Sequence, residues 1–380
     1  MFTYHGGMLP RSPQRDRDLD FRQVDHYPVF DALRIFAGLM VIYSHSFVLV
    51  GRAEPSLAIL GQYRITVGHA GVVVFFVLSG FLVTQSWQRK PTASSYSLKR
   101  FSRIWPGYTA VVVLSALVLG PIVTTLSLAD YLTAKQTWLY ILRTVLMSPV
   151  QFDLPGVFTS QPVSAVNGSL WTLPYEILAY AALLVLGLIG ILKRPIIVLG
   201  LTVAALGAVR LAIQTRTIDL DTAANGINLI AAVNLGAWFL TGVCLFLFRD
   251  SLRWTNPIGV VAAVVVGVGI VFGESLLVIP AASYLLIFLG TRPWAFVDVV
   301  RRPGDPSYGI YLYGFPIRQT PIWSGIVGAN PWALMVLASP IAIAFGYLSW
   351  LAIEKPSMRS LRGWVGRLGG STAGRRASSA

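Results

Sequence analysis

Two residues in the first long apolar run have side chains suited to chemistry rather than to lipid. In "FDALRIFAGLMVIYSHSFVLVG", residues 30–51, Arg34 and His45 stand eleven positions apart. At about 100° per residue, eleven positions carry a helix about 20° past three full turns, so the two side chains share a face, about 16 Å apart along the axis. Asp31 and Gly38 fall within about 60° of that line, and the stripe reads Asp31, Arg34, Gly38, His45. Guanidinium groups grip phosphates, carboxylates and polarised carbonyl oxygens. Imidazole is the side chain best suited to proton transfer near neutral pH. A charge turned to hydrocarbon would cost several kcal/mol, so the stripe is expected to face the interior of a bundle or a water-filled cavity. For Arg34 a second reading stands: Asp31, one turn away, neutralises it and the long side chain snorkels to the interface. His45, aligned with that arginine, reads as a proton-transfer group rather than a satisfied core histidine.

The elements that must position this stripe follow from composition. Of 380 residues 55% are hydrophobic and only 12% charged, which excludes a soluble globular chain. Runs long enough for a hydrocarbon core fall at 30–50, 70–87, 105–126, 171–192, 195–213, 228–248, 256–272, 275–290, 308–326 and 332–353. The expected fold is therefore all-α, a polytopic membrane protein built as a bundle of about ten transmembrane helices. The net charge of +14 could suggest nucleic acid, but its distribution assigns it to topology. With the N-terminus inside, 22 of the 30 Lys and Arg lie in inner segments, 5 in outer loops, and Arg34, Arg210 and Arg318 within spans. That bias places both termini in the cytoplasm of a cell-membrane protein, and no nucleic-acid partner is expected. Residues 1–28 and the end of the basic cytoplasmic tail 357–380, from Gly363 onward, polar and rich in Gly, Ser and Arg, are expected to be poorly ordered. In the long outer loop, 127–170, Leu132, Trp138, Leu139, Leu142 and Leu146 predict the apolar face of a helix lying on the membrane surface. The single Cys244 excludes an internal disulfide and a cysteine metal cluster. No Walker loop, dinucleotide glycine pattern or His-Glu-x-x-His pair is present. No metal and no bound cofactor are expected.

The Arg-(ten residues)-His pattern resembles the acyltransferase 3 family, membrane enzymes that acylate hydroxyls of carbohydrates and related acceptors from acyl-CoA. Other stretches resemble it in order: "GHAGVVVFFVLSGFLVTQSW" from Gly68, "LKRFSRIWPGY" from Leu98, "NGSLWTLPYEILAY" from Asn167, "DPSYGIYLYGFPIRQ" from Asp305 and "LSWLAIEKP" from Leu348. The resemblance covers residues 29 to about 190 and 305 to 356, and implies acyl-CoA as donor substrate and a glycan or glycosylated acceptor. Val73 and Gly314 depart from it, at positions where the family often carries an acidic residue and a histidine.

The resemblance bears on the remaining candidates. Lys99, Arg100 and Arg103 lie in what reads as the inner loop after the second span. Alone they could be topogenic charge; the resemblance assigns Arg100 and Arg103 to the family's Arg-x-x-Arg motif, suited to coenzyme A phosphates. Glu176, at a depth in the fourth span matching that of His45, is expected to orient the imidazole, or else to face water. Arg318, central in the ninth span, needs a partner: Glu176, Asp31 or an anionic ligand. Tyr308, one turn from Tyr311, flanks a donor channel or simply packs; Trp171 anchors the interface or stacks a sugar. The reading is O-acyl transfer, acetyl in the first instance. The alternative is a secondary transporter or exporter that uses the same intramembrane charges.

Overall fold

The structure, a computed structural model, describes residues 27–57, 60, 63, 65–215, 228–292, 294 and 304–360. The expectation of disorder in the N-terminal segment and basic tail lies largely outside these residues.

Helix α1 (Pro28–Leu49) opens on a proline at its first position, where no backbone donor is lost. Helices α2 (Val67–Arg89) and α3 (Ala93–Leu114) follow; α3 continues through a wide turn, Ser115–Leu119, to Val123. Two short helices, α4 (Leu128–Thr133) and α5 (Lys135–Leu146), lie in the long loop. A tight turn, Gly168–Thr172, leads into α6 (Leu173–Leu188). The remaining helices are α7 (Pro195–Gln214), α8 (Leu229–Leu247), α9 (Asn256–Phe272), α10 (Ser275–Gly290), α11 (Ser307–Trp323) and α12 (Pro331–Ser349). Side-chain caps fix several starts: Asn228 accepts from Ile230 N and Ala231 N, and Asn330 from Trp332 N and Ala333 N.

Each of the ten apolar runs read from the sequence coincides with one long helix. Seven helices among the described residues are long and apolar enough to cross a membrane; α9 and α10 are shorter apolar helices, and α11 is a 17-residue helix containing the buried Arg318. Large apolar side chains point outward on α7, α9 and α12, among them Ile196, Val203, Val260, Val264 and Val336. Lipid is the medium in which such a surface is stable. Close approach uses small residues: Gly80 lies against the Phe239 carbonyl and Gly242 against that of Val77, bringing α2 and α8 together.

Two sequence expectations need correction. The third span begins at Ala93 rather than near residue 105, so Lys99, Arg100 and Arg103 sit on a helix, not in a loop. No glycine or proline lies between Ala93 and Arg103 to stop helix formation, so polarity alone does not make this stretch a loop. The surface helix is two pieces broken at Ala134, with Leu132, Trp138, Leu142 and Leu146 exposed and Thr137, Tyr140 and Thr144 buried. Tyr108 donates to the Thr144 carbonyl at 2.6 Å and fastens this layer to α3.

Candidate active site

Helices α1 and α11 run parallel, both starting at the basic end of the bundle, because Asp305 meets Arg34 while Arg318 meets the carbonyls of Val41 and Ile42. Along α11, Tyr308, Tyr311, Phe315 and Arg318 recur every three or four residues, Tyr308 against α3, Tyr311 against the Gly168–Thr172 turn, and Phe315 and Arg318 against α1. A polar seam follows from this register.

At the basic end, Asp305 is the hub. Its Oδ2 accepts from Arg103 Nη2 at 2.6 Å and from Arg34 Nη1 at 3.3 Å, while Oδ1 accepts from Ser307 Oγ at 2.5 Å. Arg34 also pairs with Asp31 at 2.9 Å, and Arg103 with Glu354 at 3.3 Å, so five charges link α1, α3, α11 and the end of α12. Burial raises the Asp305 carboxyl, but the guanidiniums of Arg103 and Arg34 and the Ser307 bonds outweigh it and hold Asp305 below the usual carboxylate range. Gly304, at φ +105°, turns the chain into this position where a Cβ would strike the Trp350 indole. Gly107 lets α3 close on Tyr308 and Glu354. The Arg34 and Arg103 side chains remain 19% and 22% exposed while both pair with Asp305.

Arg100, one turn before Arg103, lies over the Tyr180 ring at 5.7 Å, and its Nε is buried without a hydrogen-bond partner. Lys99 is exposed beside it. Tyr308 donates to the Ile104 carbonyl at 2.9 Å and carries Arg103 over its ring at 5.7 Å.

Toward the other end, Tyr311 donates to the Ser169 carbonyl at 2.6 Å and accepts from Thr172 Oγ1 at 2.5 Å. This fixes the Gly168–Thr172 turn against α11, with Gly168 under the Phe315 ring where no Cβ would fit. The preceding loop is laid on α11 by Asn167 Nδ2, which donates to the Leu312 carbonyl, and by Gln319 Nε2, which donates to those of Val163 and Ala165, each at 2.8 Å. Ser169 Oγ then sits 3.5 Å from His45 Nδ1, Arg318 Nη2 lies 3.3 Å from the same atom, and Phe315 stands edge-on to the imidazole. Glu54, after α1, accepts from Ser44 Oγ at 2.5 Å and Gly68 N at 2.9 Å, clamping α1 to α2 beside His45.

The structure thus brings Asp31, Arg34, Arg103 and Tyr308 together at one end and His45 with Arg318 at the other. It does not bring Glu176 to His45. Glu176 accepts from Tyr180 Oη, which also contacts Ser79 Oγ at 3.2 Å, and the charges acting on it are those of Arg103, Arg100 and Arg34. The chain enters this span three residues earlier than expected, so Ser169 holds the level of His45 and Glu176, seven residues on, lies about 10 Å deeper. Arg318 pairs with neither Glu176 nor Asp31: its Nε donates to the Gly314 carbonyl at 2.6 Å and its Nη1 to those of Val41 and Ile42. Trp171 stands edge-on to Tyr175 at 5.8 Å, half-buried. Sequence reasoning missed Asp305, Glu354, Tyr180 and Ser169 as site residues. The three-and-four spacing from Tyr308 to Arg318 was the signal that could have marked α11 as the partner face.

The site is a guanidinium and an imidazole on one inward line of a helical bundle, and the sequence comparisons name the class of the chain. A family model described as an acyltransferase domain matches residues 27–351, and the chain belongs to that family: it is a multi-pass membrane acyltransferase. The chain is 28% identical to the O-acetyl transferase of Shigella phage Sf6, over 86% of its own length and 94% of the relative's. It is 29% identical to Nodulation protein 10 of Rhizobium leguminosarum bv. viciae, over 90% and 96%. Identity to the exopolysaccharide production protein ExoZ of Rhizobium meliloti (strain 1021) is 30%, over 83% and 96%. No solved structure matches the chain significantly.

Proposed function

We propose that this protein moves an acyl group, acetyl, from cytoplasmic acyl-CoA to a hydroxyl of a polysaccharide or other glycan in the cell membrane. The carrying observation is the seam itself: inward polar groups run between α1 and α11 from the arginines at the basic end to His45. The relatives support the chemical classes, since one is named an O-acetyl transferase and another an exopolysaccharide production protein.

In this reading Arg100, whose Nε is unpartnered, and Arg103, with Lys99 beside them, hold the coenzyme A phosphates. Arg34 steadies the pantetheine arm, which is long enough to follow the seam. His45 takes the proton of the acceptor hydroxyl as its oxygen attacks the thioester carbon, then returns that proton to the departing thiolate. Ser169 and Arg318, rather than Glu176, hold the imidazole. Glu176 and Tyr180 shape the donor end. Both termini face the cytoplasm, so the donor comes from the basic end and the acceptor from the other.

Inside-out membrane vesicles from cells lacking the endogenous gene, supplied with radiolabelled acetyl-CoA, test the reading. With the wild-type chain, label enters the glycan fraction and free coenzyme A appears; with His45→Ala, acetyl-CoA binding persists and transfer stops. A chain that binds no acetyl-CoA but moves ions or solutes would be a transporter, and the proposal would fall.

A further inference from the structure

Arg318 is the cation to which the scheme above gives only the task of holding the imidazole. It is fully buried, and no carboxylate pairs with it among the described residues. A buried unpaired guanidinium is costly to keep, and a purely structural tie between α1 and α11 could be made by a neutral side chain. Its donors can be counted. Of five N–H groups, Nε serves Gly314, the two on Nη1 serve Val41 and Ile42, and one on Nη2 meets His45 Nδ1. One Nη2–H is left over, on the very atom that touches the imidazole.

We propose, resting on the acyltransfer reading, that Arg318 is the oxyanion-stabilising group of this enzyme and that its Nη2 leaves His45 for the thioester oxygen as the acceptor attacks. Arginine has only donors, so in the present contact His45 Nδ1 is the acceptor and the imidazole proton sits on Nε2. That tautomer offers no base at Nε2. When Nη2 turns to the thioester carbonyl, a water molecule takes the Nε2 proton and supplies one to Nδ1, so that Nδ1–H donates a hydrogen bond to Ser169 Oγ, 3.5 Å away, and Nε2 becomes the free base. The acceptor O–H then gives its proton to Nε2 while a C–O bond forms, and the carbonyl electron pair becomes an oxyanion held by Nη2. Collapse re-forms the carbonyl, breaks the C–S bond and returns the Nε2 proton to the thiolate, leaving ester and free coenzyme A. Oxyanion stabilisation and base activation thereby depend on one movement.

The same vesicle assay tests this with Arg318→Gln and Arg318→Ala, measuring acetyl-CoA binding and thermal unfolding alongside. Losing an oxyanion donor slows transfer about 100- to 1000-fold at saturating acetyl-CoA. Donor affinity should hold, and added methylguanidinium should partly restore the Arg318→Ala rate in a saturable way. A structural tie predicts otherwise: activity falling only in step with melting temperature and no rescue, a result that overturns the proposal. So does an Arg318→Gln chain with the wild-type rate. If the wild-type chain itself transfers no acetyl, the acyltransfer reading fails and takes this inference with it, a result distinct from either variant outcome.

Discussion

Replacing Asp305 by Asn removes one negative charge from the hub joining α1, α3 and α11 while keeping its shape and an acceptor oxygen for Ser307. Two pairs are weakened, to Arg103 at 2.6 Å and to Arg34 at 3.3 Å. Stripping one partner from a fully buried pair costs about 3–5 kcal/mol, whereas exposed pairs contribute about 0–1 kcal/mol. The Asp305 side chain is 12% exposed, and Arg34 and Arg103 keep Asp31 and Glu354. No cation is left bare, so the expected loss lies between those limits, about 2 kcal/mol.

The pH dependence of that difference has a definite sign. Arg103 and Arg34 hold the Asp305 carboxyl below its ordinary range in the folded protein, so its stabilising contribution is fully present above the unfolded value, about 3.9, and disappears as pH falls through the folded value. Denaturant unfolding in detergent micelles, wild type against Asp305→Asn, should show a gap that is constant above about pH 5 and narrows in acid. A gap that persists unchanged below the folded value, or none at neutral pH, would refute the hub. The cluster also gains positive charge, so acetyl-CoA affinity should hold or rise; a fall would mean that Asp305 itself contacts the donor.

Other substitutions separate the two ends of the seam. Arg100→Ala, removing a guanidinium with an unpartnered Nε, should weaken acetyl-CoA binding by about 2 kcal/mol in a filter-binding assay without changing thermal stability. Glu176→Gln should alter the KM for acetyl-CoA rather than for the acceptor, since the carboxylate is bonded to Tyr180 beneath Arg100. Tyr311→Phe deletes the bond to the Ser169 carbonyl and should cost about 1 kcal/mol of stability. It should also slow transfer at saturating donor, because the turn carrying Ser169 loosens beside His45.

The ten helices were legible because each coincides with a long apolar run, seven of them long and apolar enough to cross a membrane, and a run of that kind has few alternatives in lipid. The start of α3 was not: basic residues between Ala93 and Arg103 read as loop when charge alone is weighed, yet they are helical with Arg100 and Arg103 turned inward. Within the site, the shared face of Arg34 and His45 was readable because both belong to one helix, where spacing fixes direction. Partners on other helices were not, since sequence gives depth only roughly and azimuth about a second axis not at all. The pairing of Glu176 with His45 failed on depth. Asp305 and Glu354, in motifs already singled out, became site residues only when α11 and α12 were set beside α1 and α3.

The seam also depends on how close α1 stands to α11, and two glycines set that distance. A Cβ on Gly38 would lie 3.2 Å from Ile310 Cγ2, and one on Gly314 would lie 3.3 Å from Ile42 Cγ1. Gly38 sits between Arg34 and His45 on the same stripe, so a side chain there acts on both ends at once. Gly38→Val should push α1 from α11, lengthen the Arg34–Asp305 and His45–Arg318 contacts together, and cost about 1–3 kcal/mol by overpacking. Transfer should fall more steeply than stability, because misplacing reacting groups by about 1 Å costs on the order of 100-fold in rate. Trimming the opposing side chain in the double variant Gly38→Val with Ile310→Ala should recover part of both losses. Gly38→Val with undiminished transfer would show that the helix spacing does not set the chemistry, and the seam would then be packing alone.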